Sequence, residues 1–482
     1  MDLALQQRIR RLFDAILIVF LLLLAWQSHW HLAKSDWLFA QPTNRRLART
    51  ERRIPRGTVY DRAGERLAWS EEGKRRYAAP EATAAVLGYM DPVYGRSGLE
   101  GQWNLELAGL SRTFGAREVR QLLRHERPHG RDLVITLDLG LQTEAYDALA
   151  GHRGAIVVLE PATGAILALA TRPTFNATTF RADYPRLLRD GDGALRHRAT
   201  QDHYPPGSTM KVVTAAAGLM HDLPTTTTYR CRGKARLFGA EVSDYHGAVH
   251  GTLAMPRALS LSCNNYFAQL AAALPNTEFA ETTSAFGFGA RWWEKLPDPR
   301  MLPLAIIPST LTTAPTANIP KGERGHMGFG QSTVVATPLQ MAMVAAAVAN
   351  DGTLMAPFLV QELRDGTRAV KTWQSVPIGF PLSQEHAHSV AEMMHGVVTR
   401  GTARGAAVPG LTVYGKTGTA QQTGGDDHAW FIGYAERMGD SPTPARIAFA
   451  ILVERGGTGG RVAVPLARRL LARWAQEAPG AE

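Results

Sequence analysis

Ser208-Thr209-Met210-Lys211 sets a hydroxyl three positions before an amine. Tyr204-Pro205-Pro206-Gly207 precedes it and reads as the end of a loop, whereas Val212, Val213 and Ala215 to Ala217 suit a helix. Ser208 is therefore expected at a helix N-terminus, with Lys211 one turn on and on the same face. A serine hydroxyl is a poor nucleophile until a base takes its proton. A neutral amine within hydrogen-bond reach can do so, and both a helix N-terminus and a second cation nearby would depress its pKa. Taken alone the pattern is weak, because a capping serine beside a solvated lysine explains it as well.

Two further groups change that balance. Ser262-Cys263-Asn264 precedes the helix-like Tyr266-Phe267-Ala268-Gln269-Leu270. From a loop, its hydroxyl and amide can face one cleft. Ser262 can relay a proton between a lysine and a leaving group, and Asn264 can hold a substrate amide. Lys416-Thr417-Gly418-Thr419-Ala420 follows the strand-like Thr412-Val413-Tyr414. Lys416 with the hydroxyls of Thr417 and Thr419 suits a carboxylate, and Gly418 would let a substrate approach the strand backbone. Singly, these are ordinary cap residues and an edge strand with a solvated lysine. Together and in this order, with 154 positions between Ser262 and Lys416, they point to acyl transfer through a serine ester.

The elements that must hold these groups are legible in outline. Arg131 to Asp138 reads as a strand and Leu139 to Leu149 as a helix. Gly154 to Glu160 and Ala165 to Ala170 are apolar runs around the turn Pro161-Ala162-Thr163-Gly164, a β-hairpin pattern. A long, mostly helical middle follows, with apolar stretches such as Met341 to Val348. Strands return at Thr412–Tyr414, Trp430–Tyr434 and Ile447–Val453, and a helix from about Val464 to Gln476 closes the chain. An early hairpin, a helical insert, late strands and a final helix indicate an α+β domain with a mainly antiparallel sheet.

The chain has 482 residues, more than one domain usually needs, and a net charge of +10. Six arginines fall between Arg45 and Arg56, but no nucleic-acid reading motif accompanies them. A basic face near an anionic membrane surface accounts for the charge. Leu12 to Trp26 is apolar except for Asp14, follows Arg8, Arg10 and Arg11, and leads to Trp30. Flanking arginines keep the N-terminus in the cytoplasm, so an uncleaved signal anchor over 12–30 is expected, with the rest of the chain outside the cytoplasmic membrane. The expected division is a cytoplasmic tail over 1–11, the anchor, a pedestal over 31–130 and a catalytic domain over 131–482. Two cysteines, Cys231 and Cys263, are too few for a four-cysteine zinc site. A bond between them is possible outside the cytoplasm, but two buried thiols are the favoured expectation.

With these motifs the sequence resembles a class B penicillin-binding protein, and Ser-x-x-Lys with Lys-Thr-Gly is shared with serine β-lactamases. The likeness extends to Arg56-Gly57-Thr58-Val59-Tyr60-Asp61-Arg62 and Gly95-Arg96-Ser97-Gly98-Leu99-Glu100 in the pedestal. It continues at Gly328-Phe329-Gly330-Gln331, Thr337 to Ala342 and His428 to Ala435. Arg196-His197-Arg198-Ala199 departs from it, standing where the family often has Asn-Arg-Ala. The resemblance implies the penicillin-binding fold and cross-linking of peptidoglycan stem peptides with release of D-alanine. It also implies covalent acylation by β-lactams and a SEDS-family glycan polymerase as membrane partner; it implies no metal or cofactor. Ser208 would be acylated, Lys211 would be its base, and Ser262 and Lys416 would carry the proton to the leaving group. Asn264, Thr417, Gly418 and Thr419 would line the donor site, and the N–H groups of Ser208 and Thr419 the oxyanion hole. A β-lactam hydrolase or penicillin-sensing receptor shares the acylation machinery, but the pedestal motifs are not expected there.

Overall fold

Apolar runs without alternation become strands covered on both faces. In a computed structural model, described over residues 3–30, 34, 54–110, 129–312, 319–421, 425–438 and 444–476, the strands used below are as follows. They are β1 (Val59–Tyr60), β2 (Arg66–Glu71), β3 (Lys74–Tyr77), β4 (Asp132–Ile135), β5 (Gly154–Leu159) and β6 (Ile166–Arg172). Then come β7 (Thr228–Cys231), β8 (Lys234–Leu237), β9 (Ala240–Ser243), β10 (Gly251–Ala254), β11 (Val360–Asp365) and β12 (Arg368–Thr372). The last are β13 (Thr412–Ala420), β14 (His428–Arg437) and β15 (Ala445–Val453). The arginines from Arg45 to Arg53 lie outside the described residues.

The central sheet has the order β13-β14-β15-β5-β6 and is antiparallel throughout. Every residue of β5 is buried, as are His428 to Ala435 of β14. That double burial is why the sequence shows runs such as Ala155-Ile156-Val157-Val158 rather than alternation. A second sheet, β12-β11-β4-β1-β2-β3, ties strands from residues 59–77 to strands from 132–135 and 360–372.

Eight helices are used below: α1 (Leu3–Ser28), α2 (Leu139–Ala148), α3 (Lys211–Met220), α4 (Met255–Leu261), α5 (Asn264–Ala273), α6 (Pro338–Ala349), α7 (Gln384–Arg400) and α8 (Ala463–Gln476). All twelve residues of α6 are buried, and it packs on β15, β14 and β5. Helix α8 packs on α2 and on β14. Asp138 caps α2, accepting from the Leu141 N–H, and Thr337 caps α6, accepting from Gln340; a short side-chain oxygen there satisfies an N–H that the helix cannot. The expected hairpin, the helices at 139–149 and 464–476 and the strand at 447–453 form within two residues of their predicted ends, whereas β13 runs six residues past Tyr414 and β14 three past Tyr434. The middle departs from the mostly helical expectation, because β7 pairs with β10 and β8 with β9 to form two short antiparallel ribbons.

The chain divides into two compact units, residues 1–57 with 104–131, and residues 58–103 with 132–482. In the smaller, the Gly57 N–H donates to Leu107 O, Gly130 to Pro55 O, and Arg56 Nη1 to Asn104 Oδ1 at 2.7 Å. Helix α1 exposes every residue from Ile16 to Leu24 by 45–64%. Arg8, Arg10, Arg11 and Asp14 occupy its first half, and among the described residues no helix is long and apolar enough to cross a membrane.

Candidate active site

Ser208 lies in a 3-10 turn, Gly207–Met210, that runs directly into α3. The turn is clamped from three sides. Gly207 N–H donates to Gly330 O at 3.0 Å, Trp430 Nε1 donates to Pro205 O at 3.0 Å, and Tyr204 bridges Ala336. Gly330 has φ +79°, and a Cβ there would lie 2.0 Å from Gly207 O. The Gly-Phe-Gly-Gln segment is therefore the floor on which the nucleophile turn rests, and only glycine fits.

Lys211 is fully buried. Its Nζ donates to the Ser262 carbonyl at 2.5 Å, to Asn264 Oδ1 at 2.6 Å and to Ser262 Oγ at 3.2 Å. Burial lowers its pKa to about 8, against the opposing charge of Asp244. Lys416 is also fully buried, and its Nζ donates to Ser262 Oγ at 2.9 Å and to Thr417 O at 2.8 Å. Burial, followed by the charge of Lys211, holds it well below the usual lysine range. Ser262 Oγ thus joins two amines whose charged forms are both disfavoured. Its backbone is left-handed, φ 59° and ψ 38°, at the end of α4. A non-glycine residue in that region stores strain that its surroundings must hold.

The structure brings Ser262 and Asn264 to Lys211, and Lys416 to Ser262, as the motif reading requires. No hydrogen bond links Ser208 Oγ to Lys211 Nζ; the amine is turned to Ser262 and Asn264, and catalytic hydrogen bonds commonly tighten only once substrate is bound. Asn264 uses one amide N–H on Ser243 O at 2.8 Å, and the amide carries a second. Thr417 and Thr419 share one side of β13, since side chains alternate along a strand. Thr417 Oγ1 meets Thr402 Oγ1 at 2.5 Å. Gly418 has no room for a side chain: a Cβ there would meet Thr209 Cγ2, Trp430 Cβ and Pro206 O. It lets β13 close on the nucleophile turn.

Motif reading missed several residues, because each is joined to the site only by distant contacts. Asp244 follows β9; its Oδ1 accepts the Asn264 N–H, and its Oδ2 accepts from Asn265 Nδ2 at 2.9 Å. Thr402, past the end of α7, orients Thr417. Arg198 is buried and donates to Glu454 at 2.9 Å and to the carbonyls of Pro173, Gly193 and Asp192. Glu454 also accepts from Tyr204 at 2.7 Å, so the Arg-Ala half of the departing motif braces the nucleophile loop. His197 is buried with neither ring nitrogen hydrogen-bonded, and burial lowers its pKa to about 4.

Cys231 and Cys263 are free thiols, both buried, as favoured. With Asp244 and His250 they offer four ligand atoms within 4.8 Å of one another. Two sulfurs, an imidazole and a carboxylate at tetrahedral count are the donor set of zinc. The motif reading names no metal ligand. Two cysteines exclude a four-cysteine site only, and the other two ligands, Asp244 just after β9 and His250 just before β10, are brought close by a fold that no local pattern signals. An ion there would tie Cys263, at the centre of Ser262-Cys263-Asn264, to the ribbons.

A serine at a helix start, two buried amines joined through a second serine, and two threonines on an edge strand define a serine acyltransferase site. A sequence profile described as "Penicillin binding protein transpeptidase domain" matches residues 154–472, and one described as "Penicillin binding protein A dimerisation domain" matches residues 56–133. The chain is 30% identical over 500 residues to the peptidoglycan D,D-transpeptidase PbpA of Mycolicibacterium smegmatis, covering 96% of this chain and 98% of that one. It is 30% identical over 444 residues to the peptidoglycan D,D-transpeptidase MrdA of Escherichia coli, covering 86% and 68%. Penicillin-binding protein A of M. tuberculosis, solved as a ceftriaxone acyl-enzyme, superposes with a TM-score of 0.79 at 29% identity, covering 88% and 99%. The chain belongs to the class B penicillin-binding proteins.

Proposed function

We propose that this protein is a peptidoglycan D,D-transpeptidase. The observation that carries the reading is Ser262 Oγ lying 2.9 Å from Lys416 Nζ and 3.2 Å from the Nζ of Lys211, which is one turn on from Ser208. Neutral Lys211 takes the proton of Ser208 Oγ as that oxygen attacks the penultimate D-alanyl carbonyl. The N–H groups of Ser208 and Thr419 hold the oxyanion, a contribution of roughly 3 kcal/mol per donor. Ser262 and Lys416 pass the proton to the departing D-alanine amine, whose carboxylate rests on Thr417 and Thr419. The second N–H of Asn264 holds the donor peptide. An acceptor amine then attacks the ester, and the same groups run in reverse.

β-Lactams enter through the same serine. Exposure to a fluorescent penicillin should label the wild type once per chain, and Ser208→Ala should leave it unlabelled while still folded. Stoichiometric labelling of that variant refutes Ser208 as nucleophile. An adduct that survives for hours separates a transpeptidase from a β-lactam hydrolase.

The same proposal places the catalytic unit on the outer side of the cytoplasmic membrane, with residues 12–30 as a single-pass anchor. The aliphatic run of α1, the arginines before it, and Trp26 and Trp30 after it support this. Cross-linking consumes freshly made glycan, so the proposed partner is a SEDS-family polymerase, as class B membership implies. Co-purification from detergent-solubilised membranes tests the pairing.

A further inference from the structure

The lobe built by the two ribbons carries a surface that the reaction does not use. Arg230, Arg232, Lys234 and Arg236 occupy alternate positions, and all four are exposed. Lys234 meets Glu241 at 2.9 Å with both side chains largely in solvent. Arg236 Nε donates only to the Gly239 carbonyl, at 3.3 Å. Among the described residues, Arg230, Arg232 and Arg236 have no carboxylate partner. Like charges gathered on so small a lobe repel one another and add nothing to the fold. Beside them stand Phe238 and Tyr245, 49% and 64% exposed, and Tyr245 meets His246 edge-on with ring centroids 4.0 Å apart. Guanidinium groups with flat aromatic faces suit a polymer that alternates carboxylates with sugar rings.

This surface is continuous with the donor site. Ser243 O accepts from Asn264 Nδ2, Asp244 accepts the Asn264 N–H, and Tyr245 is the next residue. On the other ribbon, Arg230 O accepts from Gln269 Nε2 of α5, the helix that Asn264 begins.

We propose that the lobe docks the uncross-linked glycan strand, with stem-peptide carboxylates on Arg230, Arg232, Lys234 and Arg236 and sugar rings on Phe238 and Tyr245. The inference rests on the transpeptidase reading. A strand whose one stem lies in the cleft presents its neighbouring stems at high effective concentration, so individually weak contacts hold it. Each exposed ion pair is worth about a factor of two and is screened by salt.

The test compares the full-length wild type with R230Q/R232Q/R236Q in three assays. Acylation by fluorescent penicillin, and transfer from a soluble pentapeptide donor, should be the same for both proteins. Binding to uncross-linked glycan strands, read by co-sedimentation, should weaken about eightfold in the variant, three factors of about two, and wild-type binding should fall as salt rises. Wild-type strength of strand binding in the variant overturns the inference. So does loss of binding to anionic vesicles with strand binding intact, which assigns the surface to the membrane. Failure of the wild type to be acylated by penicillin or to use the pentapeptide defeats the transpeptidase reading instead.

Discussion

Ser262 is the residue on which the site turns, because its oxygen is shared by two amines that burial keeps from holding their protons. The consequence appears in pH dependence. Lys211 must be neutral to accept the Ser208 proton, and its pKa lies at about 8. Below that value the amine is an ammonium, so the acylation rate should fall about tenfold per pH unit on the acid side. Above it the rate should level off. Stopped-flow acylation by a chromogenic penicillin measures this, and a rate flat from pH 6 to 9 removes Lys211 as the titrating base. Thr402 gives a second test at this scale. Its hydroxyl lies 2.5 Å from Thr417 Oγ1 and so fixes the rotamer of the hydroxyl proposed to meet the substrate carboxylate. Thr402→Val should cut acylation efficiency about fivefold, near 1 kcal/mol for one hydrogen bond, and Thr402→Ser should restore it. If Thr402→Val loses as much against a penicillin methyl ester as against the free acid, the residue acts through structure alone. Ser208, Lys211, Ser262 and Lys416 were legible because their types and order are rare in conjunction. Thr402 and Asp244 were not, since a lone threonine or aspartate carries no signal until the chain folds it against a motif.

At the scale of elements, the same contrast has a physical source. The hairpin of β5 and β6, helix α6 and strands β14 and β15 are long, apolar and doubly covered, so hydrophobic runs announced them. Strands β7 to β10 are four residues each and largely exposed, too short for their alternation to announce a sheet; their pairings are set by one another and by α5. The second sheet joins residues 59–77 to residues 360–372, a pairing no local window contains. Yet these ribbons bring Cys231, Asp244 and His250 to Cys263, the residue next to Ser262. Purified protein should carry about one zinc ion per chain, in keeping with the donor set. Cys231→Ser should lower zinc content, lower the melting temperature and slow penicillin acylation roughly tenfold, the usual scale for disturbed metal surroundings. Metal analysis that finds no zinc in the wild type, together with wild-type acylation by Cys231→Ser, would show that the four groups only pack.

For the whole molecule, the decisive balance lies in α1. Nine consecutive aliphatic or aromatic residues, Ile16 to Leu24, are exposed, and the proposed anchor would bury them in lipid. On an insertion scale each contributes about −0.3 to −0.6 kcal/mol at the centre of a span, roughly −4 kcal/mol together, whereas a central aspartate costs about +3. Asp14 lies toward the start of the apolar segment, where the cost is smaller, and Arg8, Arg10 and Arg11 can extend their charges to the headgroups along their aliphatic stems. For the proposed anchor that sum is only a few kcal/mol, so single substitutions should move it visibly. Leu21→Asp places a charge at mid-run and should release much of the protein from membranes washed in alkaline carbonate. Asp14→Leu should make retention more complete than in the wild type. Neither should alter acylation by penicillin in detergent, because Ser208, Lys211, Ser262 and Lys416 all belong to the larger unit, residues 58–103 with 132–482. If Leu21→Asp stays in the membrane pellet as fully as the wild type, the protein is held there by something other than α1.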